Sequence, residues 1–234
     1  RRQRQMCIRD SPNNPTGHCW SRESLEPLLA RFLLVICDEA FLPLVPDGER
    51  QSLIPLVADH SNLVVIRSLT KLYGIAGLRL GYAVAHPCRL KRWAQWRDPW
   101  PLNAVASAVG QALMQSPRKY SEWVGRVQRW VAKEGPWLSS ELSALSGIMP
   151  MPSAANYLLI RGLHNGRRLS LQPLREALEI QHRILLRDCR SFEGLDESWL
   201  RIGYQSRGGN HRILSAIRRE MPQVLNSINS SPNI

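Results

Sequence analysis

Two short, unbroken apolar runs limit what this chain can fold into. Leu33-Leu34-Val35-Ile36-Cys37 ends in Asp38-Glu39, and Leu63-Val64-Val65-Ile66 ends in Arg67-Ser68. Neither run alternates apolar with polar residues, which is the pattern of a strand buried inside a parallel sheet. Ser21 to Arg31, ahead of the first run, has the spacing of an amphipathic helix, and Ser52 to His60 between the runs suits a short one. Strands alternating with helices point to an α/β domain. Leu80 to Ala85 reads as a third strand, closed by Pro87.

From about Leu90 the spacing becomes helical. Leu90, Trp93, Ala94 and Arg97 lead to the breaker Asp98-Pro99-Trp100-Pro101; Asn103 to Met114 then predicts a second helix and Tyr120 to Leu145 a long third one. Within that stretch Trp123, Trp130 and Trp137 recur at intervals of seven, which reads as a core stripe in preference to an aromatic binding surface. Asn156 to Ile160 and Trp199 to Tyr204 have strand character and Leu171 to His182 helical spacing, an order that predicts a smaller α+β domain. The expected division is a larger domain over 1–114 and a small C-terminal domain over 115–234. No internal repeat and no low-complexity tract interrupts this plan.

Composition removes several function classes. With 234 residues, 44% hydrophobic and 21% charged, the chain has the make-up of a soluble globular protein. No apolar run approaches the roughly 20 residues that span a bilayer, so no membrane role is expected. The five cysteines are scattered, odd in number and without a Cys-x-x-Cys pair; that argues against a disulfide framework or a bound metal and fits a reducing cytoplasm. The formal charge of +12 is carried by dispersed arginines with no dense basic tail, so nucleic acid is not the expected partner.

The polar residues just past the strands carry the chemistry. In open α/β sheets ligands lie at the carboxyl ends of strands. Asp38 follows one run, and Ser68 and Lys71 follow the other. A carboxylate and a lysine in one crevice suit pyridoxal phosphate (PLP), whose ring nitrogen needs an acidic partner and whose aldehyde needs an amine. Ser68 and Arg79 are candidates for its phosphate, and Gly74, Gly77 and Gly81 allow sharp backbone turns beside the lysine. Taken singly, an aspartate after a strand is usually a turn residue and a lysine usually solvated; the combination is what matters.

That combination matches a family. Ser-Pro-Asn-Asn-Pro-Thr-Gly (11–17), Asp-Glu-Ala-Phe (38–41) and the string from Ser68 to Tyr82 occur in the order found in fold-type-I PLP enzymes. The chain resembles the class I/II aminotransferase superfamily from about Cys7 to about Leu214. The resemblance implies an α/β fold, the C-terminal part of a PLP-binding large domain with a mostly parallel sheet, followed by a smaller α+β domain. It also implies roles: Asn14 on the cofactor's ring hydroxyl, Asp38 on the pyridinium nitrogen, Lys71 as the Schiff-base lysine, Ser68 and Arg79 on the phosphate. Within the superfamily, Asp98 to Ala104, Ala155 to Arg161, Leu185 to Cys189 and Gly194 to Ile202 are similar to the threonine-phosphate decarboxylase branch of cobalamin biosynthesis. That branch implies decarboxylation of O-phospho-L-threonine to aminopropanol phosphate, with Arg187 and Arg201 binding the substrate's anionic groups. The alternatives implied are an aminotransferase similar to histidinol-phosphate aminotransferase, which uses the same residue types, and an inactive truncated relic.

Two departures qualify the resemblance. Phe41 stands where many aminotransferases carry a tyrosine, so Asn14 acts alone on the ring hydroxyl. Members of the family also carry about a hundred further residues ahead of the Asn-Pro-Thr-Gly segment, within the ordinary size of a domain, including the phosphate loop and the aromatic that stacks on the ring. The chain therefore reads as an N-terminally truncated fragment, expected to be poorly stable and nearly inactive alone, and homodimeric only when full length.

Overall fold

The computed structural model describes residues 4–229. Contacts divide the chain into two compact units, one reaching to Asn14 and running from His18 to Trp130, the other holding Pro15–Gly17 and the chain from Val131.

The first unit is built on four strands, β1 (Arg4–Asp10), β2 (Phe32–Asp38), β3 (Leu63–Ser68) and β4 (Gly81–Ala85), in that spatial order. The first three are parallel and β4 is antiparallel to β3. One face of the sheet, with Cys7, Val35, Cys37, Leu63 and Val65, packs on Leu25, Leu29, Leu53 and Val57 from the connections. β3 is buried on both faces from Leu63 to Val65, as its apolar run predicts, whereas Leu34 and Ile36 of β2 stay half-buried.

The two connecting helices are shorter than their spacing predicts. Ser21 caps α1 (Arg22–Leu25), its hydroxyl accepting from the Ser24 amide, but the chain then tightens into a 3-10 turn at Glu26–Leu28. Pro27 lacks the amide that would continue the α-helix, and Pro55 has the same effect in the 3-10 turn Ile54–Leu56. Four further helices follow, α2 (Leu69–Tyr73), α3 (Pro87–Ala94), α4 (Ala104–Met114) and α5 (Pro117–Ser143). Asn103 caps α4 by accepting from the Ala106 amide at 2.8 Å.

The seven-residue stripe on α5 exists, but the tryptophans do not form it. Val124, Val131 and Leu138 are the buried positions, while Trp123, Trp130 and Trp137, one residue earlier each time, are half-buried at its margin. The change in contacts falls within α5, because a helix of 27 residues is long enough to serve two cores.

The second unit is an antiparallel sheet with helices. Its strands are β5 (Ile148–Pro150), β6 (Tyr157–His164), β7 (Arg167–Arg168), β8 (Arg187–Asp188) and β9 (Trp199–Gly203). They are ordered β5-β6-β9-β8, with β7 paired to the end of β6. α6 (Gln172–His182) packs against α7 (Arg207–Asn229), burying Leu174, Leu178, Leu214 and Ile217. Neither α7 nor the short β7 and β8 is visible in the sequence pattern alone.

Candidate active site

Because β1, β2 and β3 are parallel, their last residues, Asp10, Asp38 and Ser68, lie along one edge of the sheet. β4 runs the other way and begins there, with Gly81 opposite Ser68. Arg79, just upstream, is therefore delivered to the same edge. Its backbone is left-handed (φ 53°) and its guanidinium donates to the Ala76 carbonyl at 3.3 Å. The antiparallel direction of β4 decides this placement.

Asn14 reaches the edge through Asp10. The Asp10 carboxylate accepts from the Asn13 side-chain amide at 2.9 Å and from the Asn14 backbone N–H at 2.8 Å. Asp10 went unnoticed in the sequence; its only signal is its position at the end of a basic, weakly apolar segment. Asp38 is half-buried. Its Oδ1 accepts from the Ala40 amide at 2.9 Å and its carbonyl from the Ser11 amide at 2.9 Å. Among the described residues no donor reaches its other carboxylate oxygen. Ser68 Oγ lies 2.7 Å from Thr70 Oγ1.

Lys71 is exposed on α2, with Nζ 5.6 Å from the centre of the Phe41 ring, over the loop that leaves Asp38. α2 is a short helix held from outside. Gly74 ends it in the left-handed conformation (φ 67°), its amide donating to the Thr70 carbonyl. Trp123 stacks on Tyr73 with ring centres 5.8 Å apart and donates its indole N–H to the Leu72 carbonyl at 2.9 Å.

Beside these residues lies a buried ion network that sequence reasoning missed. Glu39 and Arg67 are almost fully buried and form an ion pair at 2.7 Å. Glu39 also accepts from Ser52 Oγ at 2.8 Å and from the Leu53 amide at 2.7 Å. Arg67 also grips both oxygens of Glu49, at 2.7 and 2.9 Å, and donates to Ser52 Oγ at 2.9 Å. Burial pushes the Glu39 carboxyl above its ordinary range, an effect that Arg67 opposes. The signal available in the sequence was strand alternation, which turns Glu39 away from Asp38.

In the second unit Arg187 and Arg201 are directly opposite on β8 and β9. Arg187 is exposed, donates to Ser191 Oγ at 3.0 Å and lies 5.5 Å from the centre of the Phe192 ring. Arg201 is half-buried and lies 4.7 Å from the centre of the Tyr157 ring. Burial pulls its guanidinium below the ordinary value, and Arg187 adds to the fall. The Pro15–Gly17 segment belongs to this unit as well. Gly17 is left-handed (φ 73°), its carbonyl accepts from the Ala154 amide at 2.9 Å, and a β-carbon on it would overlap the Ser153 side chain.

The structure thus gathers Asn14, Asp38, Ser68, Lys71 and Arg79 at one sheet edge and pairs Arg187 with Arg201 in the other unit. The family model for aminotransferase class I and II matches residues 1–217, and the chain belongs to that family. It is similar to threonine-phosphate decarboxylase of Salmonella typhimurium, 34% identical over 219 residues covering 92% of this chain and 57% of that protein. It is also similar to histidinol-phosphate aminotransferase 2 of Archaeoglobus fulgidus, 30% identical over 208 residues covering 89% and 56%. Among solved structures, L-threonine-O-3-phosphate decarboxylase from Porphyromonas gingivalis has a TM-score of 0.80 at 25% identity, covering 93% of this chain and 65% of that one. The chain spans little more than half the length of the curated relatives it matches.

Enzymes of this family depend on pyridoxal 5′-phosphate. The donor set at the sheet edge fits that group: a half-buried carboxylate, a primary amine, a hydroxyl, a guanidinium and an amide, each of a type that one part of the cofactor requires. The α/β architecture expected from the sequence is the one observed, with a parallel sheet carrying this edge.

Proposed function

We propose that this chain carries the cofactor- and substrate-binding residues of a PLP-dependent decarboxylase acting on O-phospho-L-threonine, with aminopropanol phosphate for cobalamin biosynthesis as product. The observation that carries the reading is the Arg187–Arg201 cross-strand pair, since a substrate bearing a carboxylate and a phosphate is what two adjacent guanidiniums suit. The similarity to the Salmonella decarboxylase supports this branch over others.

In this reading Lys71 holds the cofactor through Nζ, Asp38 keeps its ring nitrogen protonated, and Asn14 donates to its ring hydroxyl. Ser68 and Arg79 bind its phosphate. Bound PLP supplies an electron sink for the pair released when a bond to Cα breaks. Arg187 and Arg201 would hold the substrate's carboxylate and phosphate and so fix its orientation. Once the substrate's amino group had replaced Nζ on the cofactor, Lys71 would be free as an ammonium and, as carbon dioxide left, would deliver a proton from Nζ to Cα, where the electron pair of the broken bond is taken up. The whole protein would act as a cytoplasmic homodimer.

A second reading is favoured by the similarity to the Archaeoglobus aminotransferase. There Lys71 Nζ, displaced from the cofactor in the same way, would remove the proton from Cα instead. The residue types are the same, and substrate orientation alone separates the outcomes.

The test is release of carbon dioxide from O-phospho-L-threonine by the PLP-loaded whole protein, including the residues that the family carries ahead of the Asn-Pro-Thr-Gly segment. Release that Lys71→Ala abolishes is expected. A 2-oxo acid product without carbon dioxide would instead establish the aminotransferase, and neither product would overturn both readings.

A further inference from the structure

Glu39 follows Asp38 directly, and Arg67 directly precedes Ser68. The backbone ladder between β2 and β3 ends at this point: the last register pair is Asp38 with Ile66, closed by the Glu39 amide donating to the Ile66 carbonyl at 2.9 Å. Beyond it the tie between the two strand ends passes to side chains. The Glu39 carboxylate accepts from Arg67 Nε at 2.9 Å, while the far side of the same guanidinium is clamped by Glu49 and Ser52. The planar fork of arginine makes such a tie stiff, because several fixed acceptors hold one rigid group.

Stability alone is a weak reason for this network. Burying a carboxylate and a guanidinium costs several kcal/mol of desolvation per ion, and packed apolar side chains of similar volume serve stability as well or better. Glu39 is 1% exposed and Arg67 3%, and they stand directly beside the ends of β2 and β3 that carry Asp38 and Ser68. We infer that Glu39 and Arg67 are a positioning pair, holding Asp38 and Ser68 at the separation that PLP needs between its ring nitrogen and its phosphate. The inference rests on the cofactor reading given above.

The experiment titrates PLP into the whole protein, with the residues that the family carries ahead of the Asn-Pro-Thr-Gly segment, following the absorbance of the bound cofactor and its dissociation constant, and then traps it on Lys71 with borohydride. Glu39→Gln keeps the side-chain size and removes the partner charge of Arg67. It is expected to weaken PLP about tenfold, the scale on which small misplacements act, and to shift the cofactor's absorbance maximum, which a purely structural role would leave in place. Arg67→Met combined with Glu39→Gln is expected to add little further loss, as for two residues acting as a unit.

A folded Glu39→Gln chain with wild-type PLP affinity and spectrum overturns the inference. Where that variant fails to fold, Glu49→Gln, on the half-exposed side of the network, asks the same question, with an expected loss of a few-fold and an unchanged affinity overturning the idea. A wild-type chain in which borohydride leaves Lys71 unmodified overturns the cofactor reading and this inference with it. A labelled Lys71 with unaltered variants overturns this inference alone.

Discussion

Arg187 on β8 stands directly opposite Arg201 on β9, so two like charges share one face of an antiparallel pair. Each lies over an aromatic ring, Phe192 for the first and Tyr157 for the second. Like charges placed this way oppose each other by a few tenths to about 1 kcal/mol, a cost that a bound dianion would reverse. Arg187→Gln is therefore expected to raise the stability of the ligand-free chain by up to about 0.5 kcal/mol. The same variant should lose most of the stabilisation that O-phospho-L-threonine confers. Thermal melts with and without that compound check both halves; a variant stabilised by the compound as strongly as wild type would remove Arg187 from substrate binding.

Gly17 tests the conformation of the Asn-Pro-Thr-Gly segment. Its left-handed backbone and the overlap of any β-carbon with Ser153 make Gly17→Ala costly twice over. The expected destabilisation is about 2–4 kcal/mol, a backbone term plus a steric one. Urea unfolding measures it. Ser153→Gly should recover the steric part and leave the backbone part, so full rescue would contradict the backbone argument.

Trp123 supports the lysine-bearing helix from outside through its indole N–H and its stacking on Tyr73. Trp123→Phe retains a ring and deletes the donor. It should cost about 1–2 kcal/mol and speed hydrogen exchange at the amides from Thr70 to Gly74. Exchange there at the wild-type rate would show that α2 is held by other contacts.

Cys189 supplies a dependence on alkaline pH. Burial pushes its thiol from 9.0 to about 11, and Asp188 adds to the rise against Arg201 and Arg187. The unfolded chain loses this proton first, so between those values the folded state binds more protons. Stability is then fully present below about pH 9 and falls as pH rises toward about 11, by about 2–3 kcal/mol for this one group. Cys189→Ala is expected to be less stable at pH 8 from lost packing, yet to show a shallower decline to pH 11 in urea midpoints. Equal slopes would contradict the assignment. Other buried acids, Tyr204 among them, are raised as well, so the difference between the two chains is the informative quantity.

Much of the placement of the candidate site was legible in the chain. Apolar runs without alternation announced β2 and β3, and the polar residues after them, Asp38, Ser68 and Lys71, fall at strand ends in the structure. Arg79 was legible as a residue and not as a position, since it joins the others only because β4 reverses direction. The core stripe of α5 was read one residue out of phase, because tryptophans at its margin repeat with the same period as the valines and leucine that are buried. The α-helical spacing at Ser21 to Arg31 was overruled locally by Pro27.

What the sequence determined by itself was local: which apolar runs become strands, where a cap such as Asn103 starts a helix, and which side chains follow a strand. Those properties depend on side-chain size, polarity and backbone freedom over a few neighbouring residues, and they are written in order along the chain. The pairing of Glu39 with Arg67, 28 residues apart, and of Arg187 with Arg201 was decided only by tertiary structure. Strand register and direction set which residues become neighbours, and both follow from the burial of whole sheet faces, a sum over many distant contacts that no single segment contains.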